Sequence, residues 1–165
     1  MTAASPFEPT TFNVLFVCTG NTCRSPMAEA VAAAELERRG WKHVRVGSAG
    51  TGAEEGTPAA AEARAVAAKH GLDLAAHRSR PLTIELVEWA DLILAMSASH
   101  LGAVARLGGA SKMALLGDFA ADDGSYGISV PDPFGLDEAV YEQTFGELVR
   151  MIEGMMSRLE PILHP

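Results

Sequence analysis

The chain has 165 residues, 48% hydrophobic and 21% charged, which is ordinary usage for one globular domain. That composition excludes a disordered tail, a collagen-like repeat and a small disulfide scaffold. Lys and Arg number 13 against 21 Asp and Glu, a formal net charge of −8, so the surface as a whole repels nucleic acid and anionic membranes.

Neither nucleic acid nor membrane is therefore expected as a partner, and an anion would have to be held in a local pocket. No apolar run approaches the ~18 to 20 residues of a membrane span. The first residues, MTAASPFEPTTF, lack the basic and apolar regions of a secretory signal, which makes the cytoplasm the expected location.

Residues 1–11 read as a flexible leader and 12–165 as one domain. Residues 13–18 (NVLFVC) form a short apolar, β-branched run, a buried strand. The polar loop TGNTCRS follows. Ser25 is placed to cap, and Pro26 to open, a helix over 26–39 that Gly40 stops. A second strand is expected over 43–47, then an alanine-rich helix over 58–70 closed by Gly71. A short helix over 83–89 leads to a third strand over 91–95, a helix over 97–107 and a fourth strand over 112–116. Residues 122–134 form a loop too long to be mere connection. The last helix is expected over 137–159, with Val140, Phe145, Leu148, Met151, Ile152 and Met155 near helical spacing. Strands alternating with helices imply an α/β fold, a single doubly wound domain with a four-stranded parallel sheet and helices on both faces.

In such a sheet, ligands sit beyond the carboxyl ends of the strands, and the first strand–helix loop is a favoured place. Here that loop carries Cys18 and Arg24 six residues apart. A loop closing into a helix N-terminus aims several backbone N–H groups at one point, binds a tetrahedral oxyanion there and favours the thiolate of a cysteine beneath it. Arg24 adds a planar fork for two phosphate oxygens. Gly20 and Asn21 tolerate the left-handed angles that the curl needs. These parts suit in-line attack of Cys18 on phosphorus, with a cysteinyl-phosphate as intermediate. Asp132, before Pro133 in the long loop, is placed to overhang the pocket; its alternative, capping the last helix, suits Asp137 better.

Residues 18–26, CTGNTCRSP, resemble the phosphate-binding loop of the low-molecular-weight protein tyrosine phosphatase family. Residues 47–51 (GSAGT), 71–80 (GLDLAAHRSR) and 132–134 (DPF) resemble further segments of that family in the same order. The resemblance implies Cys18 as nucleophile, Arg24 as phosphate clamp and Asp132 as general acid and then base. Thr19, Gly20, Asn21, Thr22, Cys23, Ser25 and Phe134 would bind substrate, and Ser48 and His77, with Asn21 and Ser25, would support the loop. It implies no metal and no organic cofactor, with phosphorylated proteins as the substrate partner; the sequence does not fix the oligomeric state, and a monomer is the default expectation.

Family members usually carry Ile or Leu where this chain has Thr22, and the bacterial protein-arginine-phosphatase branch carries Thr. A hydroxyl at the pocket wall suits a guanidinium, whereas an aliphatic wall suits a phenyl ring. Phosphoarginine is thus the expected substrate and phosphotyrosine the alternative. Arsenate reduction would need further cysteines after Cys23, and none exists. A silent anion-binding module would not be expected to keep Cys18 and Asp132. A Cys18–Cys23 disulfide would inactivate the enzyme reversibly if the loop brings the sulfurs together; the alternative is that Cys23 packs behind the loop. Trp41 and Trp89 are expected in the core. His43, His70, His100 and His164 show no metal-ligand spacing and suit solvated or capping roles.

Overall fold

Alternation along NVLFVC decides where the first strand lies. In β1 (Phe12–Cys18), Val14, Phe16 and Cys18 enter one apolar cluster while Leu15 and Val17 enter another. A strand buried on both sides belongs at the centre of a covered sheet. The computed structural model, which describes residues 11–163, shows this arrangement. β2 (Val44–Gly50), β3 (Leu92–Ala95) and β4 (Met113–Leu115) run parallel to β1 in the order β2-β1-β3-β4. The expected leader, apart from Thr11, and His164 lie outside the described residues.

The larger cluster collects α1 (Arg24–Arg39), α2 (Ala61–Lys69), α5 (Leu116–Ala121) and α6 (Glu138–Leu163) on one face of the sheet. The smaller holds Val87 of α3 (Ile84–Trp89) and Val104 of α4 (Leu101–Arg106) on the other. Helices thus cover both faces, as expected. Where helices approach closely, small residues make room: a Cβ on Gly154 of α6 would lie 2.7 Å from the Ala120 carbonyl oxygen of α5. Trp41 is buried, and Trp89 packs against the smaller cluster.

The structure corrects several local expectations. α1 begins at Arg24, with Cys23 at its N-cap position and no side-chain cap; Ser25 does not cap it because its hydroxyl is engaged inside the loop. β2 runs on to Gly50, past the expected end at 47. The fourth strand is shorter than expected, and Leu116 instead opens α5, a helix the sequence reading missed. Its buried Leu116 and Phe119 lie three residues apart, a helical spacing too short to stand out in the sequence. Residues 98–100 form a 3₁₀ turn that precedes α4. Gly40 does end α1, in the left-handed conformation with φ 70°. Asp137 caps the start of α6 by accepting from the Val140 N–H.

Candidate active site

The strand order reverses between β1 and β3, since β1 connects outward to β2 while β3 leads to β4 on the other side. The segments beyond the carboxyl ends of these two strands diverge and leave a crevice, the usual ligand position in a doubly wound sheet. Cys18 ends β1 at this crevice, and Met96 and Ser97 leave β3 beside it, the Met96 N–H donating to the Val17 carbonyl. A pocket of about 180 Å³ opens there. Its lining includes Cys18, Thr19, Gly20, Thr22, Cys23, Arg24, Asp132 and Phe134, so residues 114 positions apart in sequence share one cavity.

Asn21 sets the curl of the loop. It is fully buried and has φ 55°, a left-handed conformation that asparagine tolerates. Its side-chain amide donates to Ser25 Oγ at 2.8 Å and to Ser48 Oγ at 2.9 Å, while its Oδ1 accepts the Arg80 N–H at 3.0 Å. His77 Nε2 meets its carbonyl oxygen at 2.7 Å. From the end of β2, Thr51 and Gly52 donate to the carbonyls of Cys18 and Thr19. With the carbonyls of Cys18, Thr19 and Asn21 occupied, the backbone N–H groups of Thr19 through Cys23 find no acceptor among the described residues. A run of consecutive amides left this way can cradle an anion. Gly50 is required by the same packing: a Cβ there would lie 2.3 Å from the Thr19 oxygen and 3.0 Å from the Asn21 nitrogen.

Cys18 lies under this cradle with its sulfur 2.8 Å from Ser25 Oγ. Because Ser25 accepts from Asn21, its own hydroxyl hydrogen is free to point at the sulfur, and a thiolate can only accept there. Arg24, almost fully buried, donates from Nη1 to Ser97 Oγ and to the Val130 carbonyl, each at 3.0 Å. Its Nη2 lies 3.7 Å from Asp132 Oδ2. Asp132 is half-exposed at the mouth, turned by the Phe134 N–H that its Oδ1 accepts. The long loop that carries it is held by Asp118, which accepts from the Gly127 and Ile128 N–H groups, and by Val130, which donates to the Met96 carbonyl.

The structure gathers the expected residues around one loop, but Asn21 and Ser25, expected to bind substrate, are fully buried and their side chains do not line the pocket. Ser48 and His77 stand behind the loop against Asn21. Both cysteines are free thiols. Cys23 packs behind the loop, its sulfur 3.2 Å from the Tyr141 hydroxyl, and burial pushes its thiol pKa up despite that hydrogen bond. Four contributors escaped the sequence reading: Ser97, Val130, Tyr141 and His100. Tyr141 sits on the buried face of α6 and reads as ordinary core. Ser97 and Val130 are identified only by which way Arg24 points. His100 does cap, as expected of it, but it is buried and not solvated. Among the described residues, no group of three or more His, Cys, Asp or Glu side chains could hold a metal ion.

A thiol held under free amides, with a guanidinium fixed beside it and a carboxyl at the rim, has the layout of an enzyme that moves a phosphoryl group onto sulfur and then to water. Comparison with known proteins agrees. Residues 13–162 match the family described as low molecular weight phosphotyrosine protein phosphatase, and the chain belongs to that family. A protein-arginine-phosphatase of Bacillus subtilis (strain 168) is 42% identical over 154 residues, 90% of this chain and 97% of that one. A low molecular weight protein-tyrosine-phosphatase of Streptomyces coelicolor is 40% identical over 157 residues, covering 90% and 92%. The solved structure of a YwlE arginine phosphatase mutant with a phosphorylated active-site serine superposes with a TM-score of 0.84 at 39% identity, covering 90% of this chain and 96% of that one. The chain is a low-molecular-weight protein phosphatase.

Proposed function

We propose that this phosphatase acts on phosphoarginine in proteins and passes the phosphoryl group through Cys18. The observation that carries this reading is Thr22. Overall identity does not separate the arginine and tyrosine relatives, which match this chain at 42% and 40%. Thr22 lines the pocket directly, and its carbonyl oxygen accepts the Ala60 N–H at 2.9 Å, which fixes its place in the wall. A hydroxyl there gives a guanidinium N–H an acceptor that a hydrocarbon wall would deny it.

In the first step the Cys18 thiolate attacks phosphorus and the P–N bond breaks. The leaving guanidine nitrogen takes a proton from Asp132, and the loop amides with Arg24 hold the equatorial oxygens. In the second step Asp132 takes a proton from water, which attacks the cysteinyl-phosphate. The sulfur leaves toward Ser25, whose hydroxyl stabilises it, and inorganic phosphate departs. Two free thiols suit a reducing compartment such as the cytoplasm. A Cys18–Cys23 disulfide would require Cys23 to give up its contact with Tyr141.

A second reading, phosphotyrosine, draws on Phe134, whose exposed ring at the rim could stack on a phenyl group. The two are separated by Thr22→Ile. Under the arginine reading this change lowers the ratio of kcat/KM on phosphoarginine to that on phosphotyrosine peptides about tenfold or more. An unchanged ratio assigns Thr22 no part in selection.

Asp132→Asn tests the proton transfer. It is expected to lower kcat on phosphoarginine by ~10²- to 10⁴-fold, and much less on an aryl phosphate whose phenolate leaves without a proton. Equal losses in kcat with unequal losses in kcat/KM would place the main effect in the shared hydrolysis step, and equal losses in kcat/KM would show that Asp132 gives no proton to the leaving nitrogen.

A further inference from the structure

His100 is the one buried histidine among the described residues, and the chemistry above does not use it. Its ring bridges two segments that approach the pocket from different directions. Nδ1 faces the Ser97 N–H at 3.1 Å, and Nε2 faces Thr19 Oγ1 at 2.9 Å. The Ser97 N–H can only donate, so Nδ1 must be the bare nitrogen and the ring proton must sit on Nε2, donating to Thr19. Ser97 in turn accepts from Arg24 with its hydroxyl, while Thr19 follows the nucleophile and lines the pocket.

We propose that His100 is a positioning residue for phosphate recognition: one neutral imidazole sets the backbone of Ser97, and so the seat of Arg24, while its other nitrogen holds the first residue of the loop. The inference rests on the phosphatase reading of this pocket and adds a residue to it. Nothing else among the described residues ties the Arg24 seat to the mouth of the loop through a single side chain.

The ring is useful here only when neutral. A second proton on Nδ1 would face the Ser97 N–H donor to donor and release Ser97. Burial, joined by the nearby positive charge of Arg24 from α1, holds the His100 pKa below its ordinary value, while Asp132 from the long loop pulls the other way. The contribution of His100 is therefore complete at neutral pH and is lost as pH falls through that lowered pKa.

The test compares wild type, His100→Asn and His100→Ala in their hydrolysis of phosphoarginine protein and of p-nitrophenyl phosphate, and in inhibition by inorganic phosphate, from about pH 5 to 8. The alanine variant is expected to lose about 10- to 100-fold in kcat/KM on both substrates and to bind phosphate more weakly. Asparagine can place an acceptor where Nδ1 stands, so it should recover at least about a third of the wild-type rate, without the acid-side fall due to the imidazole. Two results would overturn the inference: wild-type kinetics and phosphate affinity in His100→Ala, or equal losses in Asn and Ala at matched Tm. The wild-type protein gives a reading that no folding defect can blur. Its ¹⁵N NMR spectrum should show His100 at neutral pH with the proton on Nε2, and a proton on Nδ1 would refute the proposal. If wild type hydrolyses the aryl phosphate but not phosphoarginine, the proposed substrate falls while the His100 comparison still stands. If it hydrolyses neither, the enzyme reading falls and phosphate affinity still decides the role of His100.

Discussion

Cys18→Ser is expected to abolish turnover, by roughly 10⁴- to 10⁶-fold in kcat, and to leave phosphate attached to the protein when phosphoarginine is supplied. A serine hydroxyl at position 18 would occupy the same place under the loop amides, near Ser25 Oγ and Arg24, so binding should persist. What it lacks is nucleophilicity and, above all, the ability to leave. An alkoxide is a far poorer leaving group than a thiolate, and one hydrogen bond from Ser25 cannot make up the difference. The P–N bond of phosphoarginine is labile enough to phosphorylate even this weak nucleophile slowly. The ester that results should resist attack by the water that Asp132 activates. Intact mass spectrometry after incubation should show one added phosphoryl group, absent from a Cys18→Ala control. Multiple turnovers by the serine variant would mean that hydrolysis does not pass through residue 18.

The sequence already told most of this, but unevenly. The central strand, the loop and the doubly wound order were readable because an apolar run buried on both faces and a Cys–Arg loop capped by Ser-Pro leave strong local marks. The departures came where tertiary packing overrides local pattern. Ser25 has the composition of a helix cap, yet Asn21 and Cys18 compete for its hydroxyl and win, so the helix starts two residues earlier with Cys23 before it. Leu116 continues an apolar run that looks like strand, but the chain turns into α5 there, and Ile128 from the long loop packs so close to Gly117 that a Cβ would lie 2.4 Å from its side chain. Ser97, His100 and Val130 are 73 to 106 residues from Arg24 in sequence. Their part in the site depends on the β1–β3 reversal of strand order, and no short-range pattern encodes that geometry.

Arg24→Lys should cost nearly as much as loss of the nucleophile, about 10³- to 10⁵-fold in kcat/KM, although it preserves charge. The reason lies in how Arg24 is held. One terminal nitrogen is spent on Ser97 Oγ and the Val130 carbonyl, at 3.0 Å each, and that pair fixes the guanidinium plane. The remaining N–H groups, with Nη2 3.7 Å from Asp132 Oδ2 at the pocket mouth, keep a fork that can match two phosphate oxygens. Lysine has a single nitrogen on a flexible stem, so it can satisfy Ser97 and Val130 or reach the phosphate, but it cannot hold one group while presenting another. As Arg24 is almost fully buried, the ammonium would also be left poorly solvated whichever partner it chose. The loss should fall on both kcat and KM, because the fork contacts phosphate in the ground state and the trigonal phosphoryl group in the transition state. Stopped-flow measurement of phosphocysteine formation separates the two. If Arg24→Lys forms the intermediate at the wild-type rate and fails only at hydrolysis, the guanidinium is not the clamp of the first step and its role belongs to the second alone.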